Sequence, residues 1–206
     1  MLVGVDFDNT IVCYDRLFHK AALEKGLIPP ELPAFKGQVR DYMRANGAED
    51  AWTELQGYVY GPRMLDAAPF AGTLEFFKSC KARGIHCCII SHRTMYPFIG
   101  PQYDLHKAAR EWIEHYGFYR HTGLLANDVY LELTLQDKLS RISQKKVDVF
   151  IDDLPEFLAE PGFPVGVERI LFDPNNLYEG DRRFKRATTW KKITHLLTDG
   201  IIVSLT

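Results

Sequence analysis

The chain has 206 residues, 46% hydrophobic and 25% charged, with a formal net charge of −2. That length buries one sizeable core with room for a small second lobe, and the near-neutral balance argues against a nucleic-acid-binding surface. No apolar run reaches the ~20 residues that span a bilayer, and Met1-Leu2-Val3-Gly4 enters a strand at once, without the basic and apolar regions of a secretory signal.

In chain order, Leu2–Asp6 reads as the first strand. Residues 14–68 then read as helices, Arg16–Lys25, Gln38–Ala45 and Glu49–Tyr58, separated by Pro29-Pro30, Pro33 and Gly47, with no strand pattern among them. Pro62 and Pro69 bracket the return to a strand–helix alternation. Leu74 and Phe77 mark a helix face that ends before Gly84, and Ile85–Ile90 is the second strand. Leu105, Ala108, Ala109, Trp112, Ile113 and Tyr116 recur at helical spacing, with Gly117 placed to close that helix. Val129–Leu133, Val147–Ile151 and Arg169–Phe172 are further strands. Trp190, Ile193, Leu196 and Leu197 mark a late helix closed by Gly200, and Ile201–Leu205 reads as a last edge strand. Strands alternating with helices predict an α/β fold, a Rossmann-like parallel sheet with helices on both faces. The helical stretch predicts a small α-helical cap over 14–68, leaving 1–13 and 69–206 as the core. Such a cap sits above the C-terminal edge of the sheet, where open sheets bind ligands.

Chemistry-bearing residues follow the strands. Asp6 and Asp8 end the first one, on the same side of it, and two acids that close call for a cation between them. They also supply an anionic nucleophile and a second carboxyl able to shuttle a proton. Ser91 follows the second strand, Lys138 lies just after the third, and Asp152-Asp153 end the fourth. Parallel strands bring these ends to one edge, where carboxylates, a hydroxyl and an ammonium suit a phosphoester held by a divalent cation. Other readings stand beside this one. Asp6 and Asp8 can cap a turn, Ser91 a helix. Lys145 and Lys146 also precede the fourth strand, but Thr134 and Asp137 resemble a capping box that puts Lys138 in the first turn, near the site.

The order Asp-x-Asp-x-Thr, strand-Ser, Lys, strand-Asp-Asp resembles the haloacid dehalogenase-like (HAD) hydrolase superfamily, and the likeness covers the whole core. The helical insertion resembles the cap that many members carry after the first motif. This resemblance implies that Asp6 is a nucleophile forming an aspartyl-phosphate, and that Asp8 protonates the leaving group and then activates water. It implies Mg²⁺ held by Asp6, the Asp8 backbone carbonyl, Asp152 and Asp153, directly or through water. Ser91 and Lys138 then hold the phosphoryl group, and Thr10 supports the turn. Members more often have Gly where Asn9 stands; Asn is the non-Gly residue that best tolerates a left-handed turn. The implied activity is a Mg²⁺-dependent phosphatase acting on a small phosphorylated metabolite.

His92 and Arg93 follow Ser91 and are either substrate phosphate contacts or part of a solvated loop. Lys20, Arg40, Arg44 and Arg63 are weaker candidates from the insertion, whereas Tyr14, Tyr58 and Tyr60 read as packing. Glu156, after Pro155, reads as a first-turn helix acid. Cys13, Cys80, Cys87 and Cys88 read as reduced thiols of a cytoplasmic protein, and a zinc site with His86 is disfavoured because strand neighbours face opposite ways. The same residues serve a phosphomutase or phosphotransferase, which differs only in the acceptor. Carbon–halogen hydrolysis needs neither Asp8 nor a metal. A non-catalytic phospho-receiver would carry its adjacent acids at the first strand, and a degenerate sugar-phosphate binder would not fill every catalytic position.

Overall fold

The computed structural model describes residues 1–203, with side chains to 197. In chain order the strands are β1 (Leu2–Val5), β2 (Val12–Cys13), β3 (Ala68–Pro69), β4 (His86–His92), β5 (Val129–Glu132), β6 (Val149–Asp152), β7 (Glu168–Phe172) and β8 (Lys185–Ala187). The helices are α1 (Asp15–Glu24), α2 (Lys36–Ala45), α3 (Glu49–Tyr60), α4 (Thr73–Ala82), α5 (Leu105–His115), α6 (Phe118–Thr122), α7 (Leu135–Gln144), α8 (Pro155–Leu158) and α9 (Trp190–Val203). Six strands form one sheet in the order β5-β4-β1-β6-β7-β8, with every neighbouring pair parallel. Among the described residues no helix is long and apolar enough to cross a membrane.

Both faces of the sheet are apolar, and strand alternation divides them. Val3, Val5, Ile89, Val149, Ile151, Ile170 and Phe172 face the larger core, with Phe76 of α4, Trp112 of α5 and Trp190 of α9. Cys88, Ile90, Phe150 and Leu171 face the other, with Leu139 and Ile142 of α7 and Phe157 of α8. Gly4 lies beside Phe150 in the ladder, where a Cβ would come within 2.7 Å of the Phe150 ring. A glycine is therefore what leaves room for that ring against β1.

Helices α1–α3 stand between β2 and β3, which pair antiparallel (Val12↔Pro69, Cys13↔Ala68) and tie the two ends of the insertion together. Phe18, Val39, Met43 and Trp52 from these helices are buried in the larger core, continuous with the strands of the sheet. Gly117 ends α5 at φ +74°, as its position predicts.

The expected edge strand Ile201–Leu205 is corrected over its first residues. α9 continues through Gly200 to Val203, and the rest lies outside the described residues. A short apolar run does not distinguish helix from strand, and one glycine costs a helix only ~1 kcal/mol. The edge is formed instead by β8, a short, charged strand.

Candidate active site

The C-terminal ends of β1, β4 and β6 lie side by side, and α7 begins beside them. The backbone N–H of Asp6 continues the β1–β6 ladder by donating to the Ile151 carbonyl at 2.9 Å. Its carboxylate Oδ1 accepts from Ser91 Oγ at 2.8 Å and from Lys138 Nζ at 2.7 Å. Lys138 also donates to Asp152 Oδ2 at 2.7 Å, and Asp152 Oδ1 accepts from the Leu154 N–H at 2.9 Å. Thr134 starts α7 by accepting from the Asp137 N–H at 3.0 Å, which puts Lys138 in the first turn. The Lys138 ammonium lies 4.0 Å from the centroid of the Phe157 ring. Burial works to lower its pKa, but Asp152 and Asp6 overcome this and hold it above the ordinary lysine value. Lys145 lies past the far end of α7, over the Tyr130 ring.

Asp6, Asp152 and Asp153 each offer an oxygen, all within 4.8 Å of one another. Among the described residues this is the one group of His, Cys, Asp or Glu arranged to hold a metal; His86 and the cysteines form none. Burial pushes Asp152 up to about 6 against the pull of Lys138. Burial, then the Asp152 and Asp6 charges, raise Asp153 well above the carboxylate range, although Thr10 Oγ1 donates to its Oδ1 at 3.1 Å. Lys138 thus leaves negative charge uncompensated, and three carboxylates form an all-oxygen set fitting a hard divalent cation such as Mg²⁺.

Asp8 holds its carboxylate apart from that group. The turn after it passes through Asn9 at φ +58°, the left-handed conformation Asn tolerates. Arg93 NH1 donates to Asp8 Oδ1 at 2.6 Å and to Oδ2 at 2.8 Å, while Tyr14 OH donates to Oδ1 at 2.5 Å. Arg93 is 4% exposed, and its other donors go to the Leu105 and Tyr60 carbonyls and to Met64 Sδ. The Arg93 guanidinium, expected at a substrate phosphate or in a solvated loop, is buried here and turned to Asp8. His92 is exposed, with a ring nitrogen 3.1 Å from the Leu133 carbonyl. Tyr14 packs as expected, its ring 5.0 Å from that of Tyr60, but its hydroxyl also belongs to the site. Burial and the Asp8 charge raise its pKa far above the usual phenol value, so it stays a donor.

An open cleft of about 270 Å³ adjoins these residues, lined by Asn9, Lys36, Arg40, Asp153, Leu154 and Tyr178 among others. Lys36 is unforeseen from the sequence. Its Nζ donates to Asn9 Oδ1 at 3.2 Å and lies 5.4 Å from the centroid of the Phe18 ring. Of the insertion cations singled out in the sequence, Lys20 and Arg63 pair with Glu24 and Arg44 with Glu49, while Arg40 pairs with Asp41 and also lines the cleft. The facing wall is shaped by buried Asp173, which accepts from the Leu177 and Tyr178 N–H groups and from Arg186.

No protein-family model matches the chain, and no curated protein matches it in sequence. Solved structures do match. A predicted phosphatase from Clostridium acetobutylicum aligns with TM-score 0.63 at 12% identity over 96% of this chain and 98% of its own. A HAD family hydrolase from Deinococcus radiodurans with bound phosphate and sodium aligns with TM-score 0.59 at 12% identity over 96% and 95%. Protein tyrosine kinase A of Mycobacterium tuberculosis aligns with TM-score 0.61 at 15% identity over 95% and 97%. With the parallel sheet, its strand order and near-complete coverage in both directions, the chain has the fold of the haloacid dehalogenase-like hydrolases.

Proposed function

We propose that the protein is a Mg²⁺-dependent phosphomonoester hydrolase that works through an aspartyl-phosphate on Asp6. The observation that carries this reading is the meeting of Asp6, Ser91, Lys138, Asp152 and Asp153 at one sheet edge. Asp6, Asp152, Asp153 and the Asp8 backbone carbonyl would hold the cation, which when bound supplies positive charge to the phosphoryl oxygens. An Asp6 carboxylate oxygen attacks phosphorus as the ester P–O bond breaks, and Asp8 gives its proton to the leaving oxygen. Asp8 then takes a proton from water, whose oxygen attacks phosphorus and breaks the bond to Asp6. Ser91 and Lys138 bind the charge that collects on the phosphoryl oxygens. The cap over 14–68 stands over the core (1–13 and 69–206), and Lys36 from its α2 faces the cleft to contact the rest of a small phosphorylated metabolite. The test is phosphate release across a panel of phosphometabolites with Mg²⁺, lost with chelator and in Asp6→Asn. Turnover that survives either change sinks the reading.

A phosphotransferase is the second reading, favoured by the likeness to the M. tuberculosis protein that is named as a kinase. The same residues then deliver the phosphoryl group to an acceptor other than water. A phosphorylated product formed with added alcohols or peptides, in place of free phosphate, distinguishes the two.

A further inference from the structure

We infer that Tyr14 and Arg93 are positioning residues that clamp one oxygen of Asp8 and so determine which oxygen carries the proton. This rests on the reading of Asp8 as the proton carrier. A carboxylate has about four lone-pair sites, two per oxygen. On Asp8, Oδ1 accepts from Tyr14 OH at 2.5 Å and from Arg93 NH1 at 2.6 Å, which fills it. Oδ2 accepts only from Arg93 NH1, at 2.8 Å, among the described residues, and keeps one site open. Oδ2 is therefore the atom that gives a proton to the leaving group and takes one back from water. Both clamp residues are buried, Tyr14 at 1% exposure and Arg93 at 4%, so water does not compete for their donors.

The clamp also ties the proton carrier to the insertion. Tyr14 sits where the chain enters it, just before α1, and Arg93 donates at 2.9 Å to the carbonyl of Tyr60, the last residue of α3. Met64 Sδ touches both, 3.3 Å from Tyr14 OH and 3.7 Å from Arg93 NH2. The seating of both ends of the insertion thus bears on one carboxylate, through contacts that leave Asp6 and the acid cluster aside.

General-acid help matters when the departing oxygen is strongly basic and little when it is not. The test compares kcat/KM for phenyl phosphate, whose leaving phenol has a pKa of about 10, with 4-nitrophenyl phosphate, whose phenolate leaves unprotonated. Asp8→Asn should lower the phenyl ester about a hundredfold more than the nitrophenyl ester. Tyr14→Phe keeps the ring and loses only the hydroxyl; it should lower the phenyl ester about tenfold more, and Arg93→Lys should do the same. Unchanged melting temperature and circular dichroism of Tyr14→Phe show that the fold is kept. If Asp8→Asn separates the two esters and Tyr14→Phe lowers both equally or neither, the clamp is overturned while Asp8 keeps its role. If Asp8→Asn lowers both equally, or the wild type turns over neither ester, the underlying reading fails and the clamp with it.

Discussion

Lys138 and Ser91 both donate to Asp6 Oδ1, yet their removal should have opposite signatures. Lys138 is 3% exposed and separates two buried carboxylates. Lys138→Met leaves Asp6 and Asp152 without their shared cation, a change that costs about 3–5 kcal/mol when one partner of a buried pair is lost. The urea midpoint without divalent cations should fall accordingly. Ser91→Ala removes one neutral hydroxyl and should cost about 1 kcal/mol of stability but lower kcat about a hundredfold, as loss of one transition-state donor does. Equal losses of stability in the two variants would remove the distinction. Asp6, Asp8, Ser91 and Asp152-Asp153 were legible in the sequence because each follows an apolar run, and Lys138 because Thr134 and Asp137 start its helix. Tyr14 and Lys36 were not. Their contacts depend on how the insertion helices are turned over the sheet, which periodicity along one helix does not encode. Arg93 was legible as a cation near the site, but its partner was not.

β1 shows how an element is placed by its neighbours as much as by its own residues. Val3 and Val5 point into the larger core, while Gly4 yields its side of the strand to Phe150 of β6. Gly4→Ala puts a methyl group 2.7 Å from that ring. Overpacking of this kind costs about 1–3 kcal/mol, and it should appear as a lower urea midpoint with an unchanged slope. Because Asp6 leaves the same strand two residues later, some activity should be lost as well. The strands that carry the site were readable to within two residues, since each is a run of β-branched and other apolar residues buried on both faces. β8 was hidden because Lys185-Arg186-Ala187 has an edge strand's charge rather than a core strand's pattern. The end of α9 was misread because Ile201-Ile202-Val203 suits either state and Gly200 suggested a stop.

At the scale of the whole molecule, the insertion and the sheet share one apolar core, in which Phe18 and Trp52 join Val3, Trp112 and Trp190. A cation bound at the sheet edge therefore stabilises the unit that unfolds. Without a cation, the buried Asp152 carboxyl holds its proton up to about pH 6 in the folded state, against about 3.9 when unfolded. The native state then binds more protons than the unfolded one between those values. The stability this contributes is fully present below about pH 4 and is lost as pH rises through about 6, an amount of about 3 kcal/mol. Asp153, also raised by burial and its acidic neighbours, acts in the same direction. Mg²⁺ bound at this cluster would take the place of those protons, so its stabilising effect should grow as they leave. At pH 7.5 and a hundredfold excess over Kd, binding adds about 2.7 kcal/mol, or about 5–10 °C in Tm for a chain of this size. At pH 5 protons compete for the same oxygens and the shift should shrink. Asp153→Asn, with one acid fewer in the cluster, should show a smaller Mg²⁺ shift and a flatter pH dependence in the metal-free protein. Differential scanning fluorimetry at both pH values, with and without Mg²⁺, reads all of these together. Equal Mg²⁺ shifts at pH 5 and pH 7.5, or none at either, would show that the three carboxylates do not form a cation site.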